Sequence, residues 1–126
     1  MGSDHLDDGR ELFKKWGFKR CEDIVWIKTN KEIRKIPSQS DQGILVRVKE
    51  HCLVGFKGEA KKASDHTFIH PNIDIDVVVT EQPTIGRLDK PPEVYDIIER
   101  FCLGRKKIEL FGGKQNIRNG WLTIGN

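Results

Sequence analysis

The chain has 126 residues, 33% of them charged and 37% hydrophobic, with a formal net charge of +3, which suits one domain, residues 1–126, built on a single core. No apolar run approaches the roughly 20 residues of a membrane-spanning helix, and Met1-Gly2-Ser3-Asp4-His5 lacks the basic and apolar parts of a secretory leader; the expectation is an intracellular protein with no membrane role. The charge is lopsided, since residues 14–62 carry 13 Lys and Arg against 6 Asp and Glu while the remainder carries 9 against 13. A basic half of this kind either attracts phosphate backbones or is a solvated surface, and composition leaves both readings open. The modest apolar content points to help from a partner.

Taken in order, residues 4–16 place Leu6, Leu12, Phe13 and Trp16 near one helical face, with acids in the first turn, lysines in the last and Gly17 as the stop. Ile24-Val25-Trp26-Ile27 is β-branched and aromatic and predicts a strand. From Lys28 to Gln42 the composition turns to polar loop material with Ile33 and Ile36 as its large apolar residues; a loop of that length is either a partner-binding element or an ordinary connection. Lys49 to Gly58 encloses the apolar run Cys52 to Phe56, which predicts a strand buried on both faces at the centre of a sheet.

Beyond it, Lys57 to Ile75 is polar again. His66, His70, Asp74 and Asp76 resemble a metal set by spacing, but Thr67, Phe68, Ile69 and Pro71 disfavour the helix that would bring the two histidines onto one face, so they read as loop residues. Asp76 to Thr80 predicts a second buried strand, Pro91-Pro92-Glu93 the start of a helix with Val94, Ile97, Ile98 and Phe101 on its apolar face, and Lys107 to Phe111 and Trp121 to Ile124 two further strands. The three cysteines, Cys21, Cys52 and Cys102, are widely spaced and form no CxxC pair, which predicts reduced core thiols rather than a disulfide frame. Helices alternating with strands describe an α/β sheet protein.

Six of these segments carry a family resemblance. Lys49 to Gly58, Asp74-Ile75-Asp76-Val77, Lys90 to Tyr95, Glu99 to Arg105, Ile108 to Gly112 and Gly120 to Gly125 resemble, in the same order, the eukaryotic N6-adenine methyltransferases of the mRNA-methylating type. The resemblance runs from about Leu6 to Asn126. Trp16 to Asp23, Ile27 to Lys31 and Phe68 to Asn72 look most like the non-catalytic partner subunit, and the ciliate DNA-methylating branch is similar as well. The resemblance implies a partial Rossmann-like (class I) methyltransferase sheet with flanking helices, the C-terminal part of such a fold, truncated on its N-terminal side.

Catalytic members hold the flipped adenine with an Asp-Pro-Pro-aromatic loop beside S-adenosylmethionine. Asp89-Lys90-Pro91-Pro92 comes nearest here, but a lysine interrupts it, and the arginine and histidine that contact the donor's ribose are replaced by Gly113 and Gln115. Glu109, Phe111 and Asn126 match donor-contacting positions, although the first two serve equally as packed strand residues. The implied protein has no catalytic residue and no cofactor of its own, with S-adenosylmethionine bound by the catalytic partner in a heterodimer or larger nuclear complex. The resemblance further assigns RNA or DNA contacts to the basic pairs Lys19-Arg20 and Lys61-Lys62, for which a solvated turn is the plain alternative, and a partner interface to Thr29, Asn30, Ile33 and Ile36. Two other roles stay open: a regulatory short form competing with a full-length sister subunit, and a contributor to a composite S-adenosylmethionine-dependent active site.

Overall fold

The computed structural model describes residues 5–29, 47–58, 74–82, 90–101 and 106–125. They fall into two compact units, Met1–Ala60 with Asp76–Gln82, and Lys61–Ile75 with Pro83–Asn126. The first unit holds helix α1 (Leu6–Trp16) and strands β1 (Lys19–Lys28), β2 (Lys49–Phe56) and β3 (Val77–Thr80); the second holds helix α2 (Pro92–Phe101) and strands β4 (Lys107–Leu110) and β5 (Trp121–Ile124). This is the mixed α/β architecture of a partial Rossmann-like sheet with flanking helices. No helix among the described residues is long and apolar enough to cross a membrane.

In the first unit the strand order is β2-β1-β3, with β2 antiparallel and β3 parallel to β1. The middle strand is therefore β1 and not the Lys49 to Gly58 segment, whose residues are at most half-buried. The apolar run was a poor guide because β1 buries alternate residues: Ile24, Trp26 and Lys28 lie on one buried face and Val25 and Ile27 on the other, half-buried one. The strand also extends five residues further toward the N-terminus than the apolar pattern implies, since Lys19 to Asp23 satisfy their backbone against β2 rather than through side-chain burial.

The pairing of β1 with β2 contains a bulge. Arg20 faces Gly55 and Glu22 faces Val54, so Cys21 is an extra residue with no opposite number. Its thiol donates to the Val54 carbonyl at 3.4 Å. Cys21 is exposed and Cys52 half-buried, so neither is the core thiol that the sequence predicts, and Cys102 lies outside the described residues. A bulge in a strand that belongs to an α/β core resets the alternation of side chains, and here it puts Arg20 and Asp23 on the same face, the one bearing Gly55 and Leu53.

That face is where α1 sits. Phe13 packs so closely over Gly55 that a Cβ there would lie 3.0 Å from two of its ring carbons, and Phe13 also meets Phe18 at 5.9 Å between ring centres. The helix stops as its sequence predicts: past Trp16 the Gly17 backbone turns left-handed, Gly17 N–H donates to the Lys14 carbonyl at 3.2 Å and Phe18 N–H to the Phe13 carbonyl at 2.8 Å, the paired bonds of a Schellman end.

On the opposite face Trp26 donates its indole N–H to Thr80 Oγ1 at 2.9 Å, and the buried Lys28 is ion-paired to Glu50 and lies over the Trp26 ring. A lysine taken out of water is tolerable only with such a partner. On the α1 face, His51 Nδ1 lies 3.0 Å from Asp23 Oδ2. In the second unit β4 and β5 run parallel, Lys107 opposite Trp121 and Glu109 opposite Thr123. The Tyr95 ring of α2 meets Trp121 edge-on at 5.5 Å, and Pro91, fully buried, opens the helix.

Replacing Gly55 by Ala is expected to destabilise the chain by about 1–3 kcal/mol through overpacking against Phe13. Urea unfolding followed by far-UV circular dichroism measures it; an unchanged midpoint would mean that α1 does not lie on this part of β2.

Candidate nucleic-acid interface

Lys19 and Arg20 are the first two residues of β1 and both are exposed. They do not act as a clamp. Successive strand residues point to opposite faces, so Lys19, opposite Phe56, and Arg20, opposite Gly55, diverge, with Arg20 on the side of α1. Lys61 and Lys62, the second basic pair, lie outside the described residues, as do Asn30, Ile33 and Ile36 of the expected partner interface. Thr29 is described: it is exposed just past β1, and its N–H donates to the Thr80 carbonyl at 3.1 Å.

The structure adds cations to this end of the sheet that were not singled out from the sequence. Lys14 and Lys15 occupy the last turn of α1, four to six residues before Lys19 and Arg20, and both are exposed. Lys57 directly follows Phe56, the partner of Lys19, and its Nζ lies 5.6 Å from the centre of the Phe18 ring. The helix lysines are easily put down to the helix dipole alone, and Lys57 to a loop; only the antiparallel register brings Lys57 beside Lys19. An end of one unit with Lys14, Lys15, Lys19, Arg20 and Lys57 exposed can hold a polyanion by summed attraction, with a strong dependence on salt.

The positions matching donor contacts are in the second unit, and Glu109 is the informative one. Its side chain is 7% exposed. Oε1 accepts from the Tyr95 hydroxyl at 2.7 Å, the Asn116 amide at 3.1 Å and Lys90 Nζ at 3.4 Å. Oε2 is buried without a hydrogen-bond partner, as is Thr123 Oγ1, and both residues crowd Gly112, where a Cβ would lie 2.8 Å from Oε2 and 2.4 Å from the Thr123 methyl. Phe111 is not a packed strand residue: it lies past the end of β4 at a backbone φ of 64° and is 88% exposed. The Gln115 amide folds back to within 2.6 Å of where a Gly113 side chain would begin, and Asn126 lies outside the described residues.

Of the four residues with metal-like spacing, His66 and His70 lie outside the described residues. Asp74 is held by Arg100, whose Nε and Nη2 donate to its two oxygens at 2.7 and 2.6 Å, a fork geometry that raises the Arg100 pKa through the hydrogen bond to Asp74.

Comparison with known proteins agrees with the resemblance seen in the sequence. Residues 1–126 match the MT-A70 family. The chain is 51% identical over 121 residues to the N(6)-adenosine-methyltransferase non-catalytic subunit METTL14 of Danio rerio, covering 95% of this chain and 27% of that protein. For the METTL14 of Drosophila melanogaster the identity is 50% over 127 residues, 98% of this chain and 31% of the relative. The human catalytic subunit METTL3 is 40% identical over 121 residues, 96% of this chain and 20% of its own length. The chain thus spans less than a third of the curated relatives it matches.

Tyr95→Phe is expected to cost about 1.5–3 kcal/mol of stability, because it removes a hydrogen bond to a buried charged acceptor. Chemical denaturation of the purified chain measures the loss; a change below about 0.5 kcal/mol, the range of ordinary surface substitutions, would mean that Glu109 does not depend on this hydroxyl.

Proposed function

The chain belongs to the MT-A70 family, and we propose that it is a non-catalytic subunit of an N6-adenine methyltransferase complex, which binds and stabilises the catalytic subunit in the nucleus and helps to hold the RNA or DNA substrate. The observation that carries this reading is the identity of about half over 95–98% of the chain to proteins named as the non-catalytic subunit, against 40% to a catalytic one.

The local chemistry supports it. A methyl donor's ribose hydroxyls need an exposed acceptor, and Glu109 is instead buried and spends Oε1 on Tyr95, Asn116 and Lys90. Gly113 offers no side chain, and Gln115, uncharged, lies back over it. In this reading S-adenosylmethionine is bound by the catalytic partner. The transfer takes place there, and this chain supplies electrostatic attraction and alignment. Lysine gives up the planar, two-point phosphate recognition of arginine, which only Arg20 of the four keeps; the contacts of Lys19, Arg20, Lys61 and Lys62 are with the backbone and carry no base reading. The partner interface is assigned to Thr29, Asn30, Ile33 and Ile36.

Co-purification with a catalytic subunit, followed by radiolabelled methyl transfer to RNA and to single- and double-stranded DNA with and without this chain, tests the proposal. Transfer that requires both proteins is the expected result; a complex whose activity ignores this chain would overturn it. Replacing Lys19, Arg20, Lys61 and Lys62 by Gln is expected to weaken substrate binding and to flatten the slope of log K against log salt by about 3 for a single strand, with the complex intact. Dissociation of the complex in the quadruple variant would move these residues from substrate binding to the subunit interface.

A further inference from the structure

The apolar residues of α1 do not all serve its packing. Phe13 covers Gly55 and Phe18, whereas Trp16, the last residue of the helix, is 54% exposed. It stands amid cations: Lys14 and Lys15 precede it, Lys19 and Arg20 follow, and Lys57 lies against Phe18. From Leu12 to Cys21 the sequence contains no acid. Both features are unfavourable for the chain alone, since an indole is left in water and like charges are crowded together. One kind of ligand relieves both, a polyanion that also presents flat apolar faces.

A double helix does not qualify, because its base faces are stacked on one another and only its phosphates are offered. A single strand offers both, phosphates for the cations and unstacked bases for an aromatic platform. The end of the helix suits Trp16 to that task, since the two hydrogen bonds across Gly17 fix the chain on its C-terminal side and leave little of the helix end to be ordered on binding. We propose that this end of the first unit holds a single-stranded nucleic acid, with a base stacked on the indole of Trp16 and the flanking phosphates on Lys14, Lys15, Arg20 and Lys57, the cations that do not turn away to the other face of the sheet as Lys19 does. The inference rests on the nucleic-acid reading above and adds to it a selectivity for unpaired substrate that backbone contacts alone do not supply.

Fluorescence anisotropy of the full chain, with a labelled 12-nucleotide single strand and the duplex of the same sequence, tests it. Trp16→Ala is expected to weaken single-strand binding roughly tenfold or more and duplex binding less than twofold, Trp16→Phe to keep most of the single-strand affinity, and Lys19→Gln with Arg20→Gln to weaken both forms alike. Equal losses for the two nucleic acids on Trp16→Ala, or no loss for either, would overturn the stacking proposal while leaving the phosphate contacts in place. If Trp16→Ala instead releases the catalytic subunit and leaves nucleic-acid binding unchanged, the indole belongs to the protein interface and the proposal fails. Absence of binding to both nucleic acids by the unaltered chain, alone and in its complex, would remove the nucleic-acid reading itself.

Discussion

The extra residue in β1 governs much of what the first unit presents to solvent. With strict alternation from Asp23 back toward the N-terminus, Arg20 would stand on the face of Ile24 and Trp26, where the sheet is buried. Because Cys21 is bulged, the order is reset and Arg20 shares the α1 face with Asp23. The same bulge lets the polar residues Lys19, Arg20, Glu22 and Asp23 remain in the ladder, and so carries β1 out to the end of α1. Placing a strand end, a helix end and the first residue after β2 together is what gathers Lys14, Lys15, Lys19, Arg20 and Lys57 at one end of the unit, with Lys19 on the face away from α1.

The second unit solves a different problem. A carboxylate that is 7% exposed must be compensated, and the protein does so with a phenol, an amide and an ammonium drawn from α2, the turn after β4 and the segment before α2. Such an arrangement is fragile, since losing one donor leaves a buried charge less compensated. At this position, which the family resemblance associates with donor contact, Oε1 is an internal tie and Oε2 is buried without a hydrogen-bond partner. Arg118, lying over the Tyr95 ring and paired with Asp96 and Glu99, and Trp121, donating its indole N–H to Glu99 at 2.7 Å, bind the same helix to the turn and strand that follow.

Much of this architecture was legible in the residues. Both helices, with their acidic first turns and basic last turns, and the short strands at Val77, Lys107 and Trp121 appear where composition and spacing predict them, because caps and β-branched runs are local signals. What failed was rank order within the sheet. The apolar run at Cys52 to Phe56 looked central, yet the middle strand is the more polar β1, whose burial depends on neighbours that no local window contains. Bulges are equally hidden, since Cys21 differs from its neighbours only in what lies opposite. For Glu109 the residues leave donor contact and strand packing both open, and its burial becomes plain only once Tyr95, fourteen positions away, is placed beside it. For the interface, Lys19 and Arg20 were found by resemblance, whereas Lys57 became visible only through register.

The parallel pair β4–β5 carries α2 on the face of Glu109 and Trp121, and its other face aligns Ile108 with Leu122 and Leu110 with Ile124, all of them between 52% and 59% exposed. Aliphatic rows of this kind are sticky surface, and what keeps copies of such a chain apart in solution is net charge. With a sequence pI near 8.8, that repulsion fades as the pH is raised from neutrality. Charge repulsion accordingly opposes contact through these aliphatic rows least in mildly alkaline buffer.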